Sequence, residues 1–283
     1  MKLLIVNADD MGADQSRNQG IWKGIEAGAI TSVSVLANGP ASHEAMEKLQ
    51  KQGTQRISVG LHFNVSEGRP LCGRLSLLVG DEGFFLGKKA CLKLLLHEAD
   101  EALKKEVALE LKAQLDWVLS WGIPITHIDG HQHVHIFPAV VDVILEHAKA
   151  AGIAWIRFPL EERPLVRVKK HEDAEAVAFS SLARAVREKI RSSGLRTPDF
   201  FCGLHWKGLI CAGLLKQMVR RLPHGITELM VHPGKEGGQK KTGPFSSFSG
   251  PQRQRELEAL LDPEFRGMIK KYEIILTGFP KEG

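Results

Sequence analysis

Leu3-Leu4-Ile5-Val6-Asn7-Ala8-Asp9-Asp10 is the stretch from which the fold is read. Four strongly apolar residues in a row have the length of a strand buried on both faces, and they break off into an amide and two carboxylates. Residues 15–28 then carry Ile21 and Ile25 four apart, with Gly28 near the stop, which predicts a helix. A buried strand that ends in polar residues and leads into a helix is the repeating unit of a parallel α/β sheet.

The unit recurs along the chain. Strands are predicted at 32–36, 57–62, 125–129, 153–158, 200–204, 228–231 and 273–276, and helices at 43–51, 98–121, 138–151, 174–191, 212–221 and 251–261. The strongest helical pattern places Leu103, Val107, Leu111, Leu115 and Val118 on one face and stops at Gly122 and Pro124. Residues 66–97, punctuated by glycines, predict a long excursion over one end of the fold. Residues 235–249, rich in Gly, Ser and Lys, predict a mobile loop. No shift in composition marks a boundary, so residues 1–283 are expected to form a single domain.

A closed barrel and an open doubly wound sheet both fit this rhythm. No G-x-G-x-x-G follows the first strand and no G-x-x-x-x-G-K-[ST] occurs, which weighs against the nucleotide-binding open sheets. The expected fold is α/β, an irregular (β/α) TIM-like barrel.

With 43% hydrophobic and 25% charged residues the chain can bury a large core. The net charge of +5 is spread along the chain in short Lys and Arg pairs, and only 6% of residues are aromatic. That pattern fits solvated faces rather than a nucleic-acid track, so no nucleic-acid partner is expected. Four cysteines without a C-x-x-C pair fit reduced thiols. The apolar run at the N-terminus is too short for a signal sequence or a membrane span, and a cytoplasmic protein with no membrane partner is expected. A homodimer is the expected assembly if the chain associates.

In a (β/α) barrel the reactive groups gather at the C-terminal ends of the strands. Here those ends are unusually polar: Asn7, Asp9 and Asp10; His62 and Asn64; Asp129, Gly130 and His131; and His232-Pro233-Gly234. Four of the twelve histidines, His127, His131, His133 and His135, fall within nine residues. An Asp and two His from separate strand ends supply three ligands and leave open positions, the layout of a catalytic metal centre.

Each residue also has a plainer reading. Asp9 and Asp10 could cap the helix that follows, and His62 alone could be a hydrogen-bonded core histidine. His127, inside the strand, could simply pack. Only one or two of His131, His133 and His135 can reach a common ion, and Asp129 could orient a histidine through its second ring N–H. His232, with an ordinary pKa near 6.5, could donate a proton to a leaving group. Arg157 could hold Asp9 ionised. Trp206, beside His205, is the one tryptophan offered to a sugar ring.

Asn7-Ala8-Asp9-Asp10, Thr31-Ser32, Asn38-Gly39, Gly60-Leu61-His62, the run His127 to His135, and His232-Pro233-Gly234, in this order, resemble the YdjC family of carbohydrate deacetylases. The resemblance implies a barrel related to polysaccharide deacetylases and a divalent ion, magnesium favoured and zinc the alternative. It implies Asp10, His62 and His131 as metal ligands, His131 being the first histidine of the loop motif after the Asp. Asp9 is then the general base and His232 the acid, with Asp129, His133, His135, Arg157 and Asn38 touching substrate or supporting the ligands. Met11 stands where the family usually has Phe, which keeps an apolar contact. The implied substrate is a small N-acetylated amino sugar of the chitooligosaccharide type. The rivals are a metal hydrolase of another amide or of a phosphoester, and a sugar-binding relative without turnover.

Overall fold

The computed structural model describes residues 1–97, 100–168, 174–236 and 250–280. The chain runs β1 (Lys2–Met11), α1 (Gln15–Glu26), β2 (Ser32–Val35), α2 (Ser42–Gln52), β3 (Ser58–Phe63), α3 (Lys88–Leu95), α4 (Glu101–Leu119) and β4 (Ile125–Gly130). A 3-10 turn follows at His131–Ile136. Then come α5 (Pro138–Ala150), β5 (Trp155–Ile156), α6 (Ala174–Ser193), β6 (Phe200–Cys202), α7 (Ala212–Arg221), β7 (Gly225–Val231), α8 (Pro251–Leu261), α9 (Pro263–Lys271) and β8 (Ile274–Leu276). None of the described helices is long and apolar enough to cross a membrane.

All eight strands share one parallel sheet in the order β5-β4-β3-β2-β1-β7-β6, with β8 added to β1. The sheet curls into an irregular barrel. Its two end strands meet at a seam where the segment before β6 pairs with β5: Ile156 N–H donates to Arg196 O and Arg196 N–H to Ala154 O, both at 2.9 Å. The strands are short apolar runs because helices cover the outer face while the barrel interior is itself filled. Since every strand is parallel, the polar residues that end β1, β3, β4 and β7 arrive at one rim.

Several helix starts were legible. Asp14 caps α1 through Arg17 N–H at 2.7 Å, Asp100 caps α4, and Pro138 opens α5 at its first position. Asp14, not Asp9 or Asp10, is therefore the helix cap here. Strand β5 is shorter than the predicted 153–158, although Arg157 just beyond it still donates its backbone N–H to Ile128 O of β4 at 3.1 Å while its side chain enters the interior. Helix α9 was not foreseen, although Asp262 caps it and Pro263 opens it.

The excursion at 66–97 is tied to α4. Glu110, fully buried, accepts from Leu71 and Cys72 N–H at 2.9 Å, and Glu106 accepts from the amides of Ser76, Leu77 and Leu78. Two carboxylates one helical turn apart satisfy loop amides that no strand could pair. The loop expected at 235–249 falls almost wholly outside the described residues.

Candidate active site

The end of β1 is bent. Its register against β2 slips between Ala8 and Met11, and Asp10 takes a left-handed backbone (φ 66°) that Asp tolerates better than most residues. The slip lets two adjacent carboxylates enter the same pocket, where a regular strand would send them to opposite faces.

Asp10 Oδ1 lies 3.0 Å from His131 Nδ1 and 3.5 Å from His62 Nε2, and the two ring nitrogens are 3.4 Å apart. The outer nitrogen of each ring meets a carboxylate: His62 Nδ1 lies 2.7 Å from Asp129 Oδ1, and His131 Nε2 lies 3.1 Å from Glu67 Oε2. An ionised carboxylate only accepts, so in each neutral ring the outer nitrogen donates and the inner one presents its lone pair. Two lone pairs and a carboxylate oxygen then converge with no hydrogen between them. Such a triad repels itself unless a cation or a proton sits at its centre.

The electrostatics agree. Burial alone would strip His62 of its proton, yet Asp129, Asp9 and the bonds to Asp10 and Asp129 push its pKa up to about 10. His131 is raised as well, against its burial, by Asp10 and Glu67. Asp10 is held well below the usual carboxylate range despite burial, by Arg253 and by bonds from His131 and His62. The pocket is built to hold positive charge. Its three converging atoms, two nitrogens and one oxygen, fit a divalent ion with coordination positions left for water and substrate.

Asp9 sits beside this triad. Arg157, fully buried, donates to both Asp9 oxygens at 2.7 and 2.6 Å, to Asp129 Oδ2 at 2.8 Å and to Glu228 Oε1 at 2.7 Å. Asn7 Nδ2 adds a bond to Asp9 Oδ1 at 2.8 Å. His232 Nε2 is 3.9 Å from Asp9 Oδ2, and its backbone N–H donates to Glu256 at 2.6 Å. Burial, together with the charges of Arg253 and Lys207, pushes the His232 ring down to about 3, so at neutral pH it carries no charge and the ordinary pKa assumed from sequence does not hold.

The other predicted residues separate by position. His133 lines the pocket, with its ring edge-on to Phe179 at 4.8 Å. His135 bonds through Nε2 to Arg157 O at 3.2 Å and so supports that residue from behind. His127 stacks on Phe279 at 3.9 Å, deep in the barrel. Asn38 donates to the carbonyls of Glu67 and Arg69 and does not line the pocket. Trp206 is fully buried with its N–H on Val166 O, which removes it as a sugar platform.

Sequence reasoning missed three charged residues. Glu67 lies in the glycine-punctuated excursion with no local signal. Arg253 pairs with Asp10 Oδ2 across the whole chain. It stands at the third position of α8, where a cation opposes the helix dipole, and that misfit was a readable sign. Glu228, a charge inside an otherwise apolar strand, was a readable sign too.

A family model described as YdjC-like protein matches residues 3–271. A carbohydrate deacetylase of Mus musculus is 37% identical over 94% of this chain and 90% of its own length. A chitooligosaccharide deacetylase of Serratia marcescens is 37% identical over 98% of both. The solved structure of an Enterococcus faecalis protein, described as a cellobiose-phosphate cleavage protein, has a TM-score of 0.73 at 23% identity, covering 98% of this chain and 97% of that one, and so shares the fold. The chain belongs to the YdjC-like family.

Proposed function

We propose that this protein is a metal-dependent carbohydrate deacetylase that releases acetate from N-acetylated amino sugars of the chitooligosaccharide type. The observation that carries the reading is the convergence of Asp10, His62 and His131 on one point, with Asp9 clamped beside them by Arg157. The names of the relatives supply the substrate class. The pocket's open volume of about 60 Å³ is far below the roughly 300–1,000 Å³ that encloses a drug-sized ligand. It suits an acetamido group entering while the sugar stays at the mouth.

Asp10, His62 and His131 would hold the ion, which when bound polarises the acetamide carbonyl and acidifies the attacking water. Asp9 accepts the proton of that water, and Arg157 keeps its carboxylate aimed while doing so. His232 enters the cycle neutral and acts as an acid only with a proton gained during turnover, for which Asp9 Oδ2 is the near source. That proton passes to the amine nitrogen as the C–N bond breaks, giving a free amino sugar and acetic acid, which ionises to acetate on release. Steps of this acid–base kind contribute on the order of 10² to 10⁴ in rate. Magnesium is the ion the family resemblance favours, whereas two imidazoles are softer donors than magnesium ordinarily takes.

The test is acetate release from diacetylchitobiose by protein loaded with magnesium, manganese, cobalt or zinc, beside a panel of phosphoesters. Asp9→Asn is expected to lose turnover and keep the ion, and His131→Ala to lose both. Turnover retained by Asp9→Asn, or phosphoester cleavage without acetate release, would overturn the reading.

A further inference from the structure

The two histidines of the triad are supported unequally by the fold. His62 lies within β3, paired with Asp129 of β4, and Leu61 before it pairs with both Val35 of β2 and Ile128 of β4, so its backbone is held by the sheet. His131 lies just past β4, and the next two residues, Gln132 and His133, take left-handed backbones (φ 53° and 58°). Regular structure therefore does not set the direction of the His131 ring. Something outside the turn has to.

Glu67 is placed to do so. It is buried at 5% exposure, four residues beyond β3 and 64 positions from His131. One carboxylate oxygen faces His131 Nε2 at 3.1 Å and the other accepts from Gln132 Nε2 at 2.7 Å, so a single side chain grips the ring and the residue after it. Its own backbone is anchored. Asn64 Oδ1 accepts from Glu67 N–H at 3.1 Å, and Glu67 O accepts from Asn64 at 2.7 Å and from Asn38 at 3.0 Å. Asn64 is in turn bonded through its main chain to Gln114 of α4, at 3.1 and 2.6 Å. A continuous line of buried hydrogen bonds thus runs from α4 through Asn64 and Glu67 to the ring of His131.

We propose that Glu67 is a positioning residue of the metal centre: by accepting the Nε2 hydrogen of His131 it fixes the tautomer and ring angle that present Nδ1 to the ion. The first turn of the excursion is then part of the site, and Asn38 acts by holding Glu67 rather than by touching sugar. The proposal rests on the metal reading of the preceding section. Carboxylates behind ligating histidines typically contribute about 10–100-fold in metal affinity.

The experiment is calorimetric titration of metal-stripped protein with zinc and with cobalt, for the native chain, Glu67→Gln, Glu67→Ala and His131→Ala, with the visible absorption of the cobalt forms recorded. Glu67→Gln keeps the volume and an acceptor oxygen, so it is expected to fold and to bind several-fold more weakly than the native chain. Glu67→Ala is expected to bind about 10–100-fold more weakly, with a shifted cobalt spectrum and turnover largely restored by excess ion. A purely structural role would lower the melting temperature and leave affinity and spectrum unchanged. If the native chain binds one ion, His131→Ala loses it and both Glu67 variants bind as the native chain does, the role of Glu67 is overturned and the metal reading stands. If the native chain binds no ion, or His131→Ala binds as tightly, both fall.

Discussion

Arg157 is shut away from solvent and shared among three carboxylates, Asp9, Asp129 and Glu228, which outnumber it. Removing one partner of such a group typically costs 3–5 kcal/mol, because a buried charge is left alone. Glu228 eases the imbalance, since burial lifts its pKa to about 7 even with Arg157 beside it. Glu161 shows the same effect away from the site. It accepts from Gly203 and His205 N–H at 3.2 Å, yet no cation lies among the causes of its shift, and burial pushes it to about 7 against the pull of these amides. Its carboxyl is harder to ionise folded than unfolded, so the native state holds a proton that the unfolded chain has released between about pH 4.5 and 7. Stability falls as pH rises through that window and the cost, about 3 kcal/mol at most, is complete above it. Glu161→Gln is expected to be more stable than the native chain at pH 8 by on the order of 1–3 kcal/mol, and no more stable at pH 4. Urea midpoints of both proteins across pH 4–8 would measure this, and parallel curves would refute it.

At the scale of elements, the strand–helix rhythm was legible because each buried strand is a run of apolar residues and each helix an apolar stripe. The bulge in β1 was not legible, since Asp9 and Asp10 read the same in a straight strand. Nor was Glu67, nor the pairing of Arg253 with Asp10, since these partners stand 64 and 243 residues apart and are brought together only by the curl of the sheet. His131, His62 and Asp10 stood out because each directly ends a recognisable strand. One close approach between elements can be tested. A Cβ added at Gly20 of α1 would lie 2.4 Å from Gly234 Cα, backbone against backbone, in the turn that carries His232. Gly20→Ala gains about 1 kcal/mol of helix propensity but must push that turn outward. A displacement near 1 Å at a proton-transfer group costs roughly 100-fold in rate. The expected result is a kcat lowered by about that factor with the fold intact by circular dichroism; an unchanged kcat would mean that the turn does not position the chemistry.

The molecule as a whole has two unlike ends. One rim gathers carboxylates, imidazoles and guanidinium groups; the other is sealed by the segment after β8. Thr277 N–H donates to Leu4 O at 3.0 Å and Phe279 N–H to Ser58 Oγ at 2.9 Å, while Trp155 Nε1 donates to Pro280 O at 2.9 Å. The Phe279 ring, 1% exposed, lies flat on His127 and edge-on to Trp155 at 6.0 Å. This seal touches strands β1, β3, β4 and β5, so it joins the early half of the sheet to its last strand. Among the described residues the seam between β5 and β6 is closed by the bridge at Arg196 alone, so the seal braces the β1 to β5 side of the barrel rather than the seam itself. Phe279→Ala is expected to lose about 3–5 kcal/mol, as large aromatic truncations in a packed interior do. If the seal is integral, urea unfolding of the native chain is a single transition and the variant's is single too, at a lower midpoint. A native chain that unfolds in two steps, with Phe279→Ala changing only the first, would show instead that the end segment docks on a barrel already stable without it.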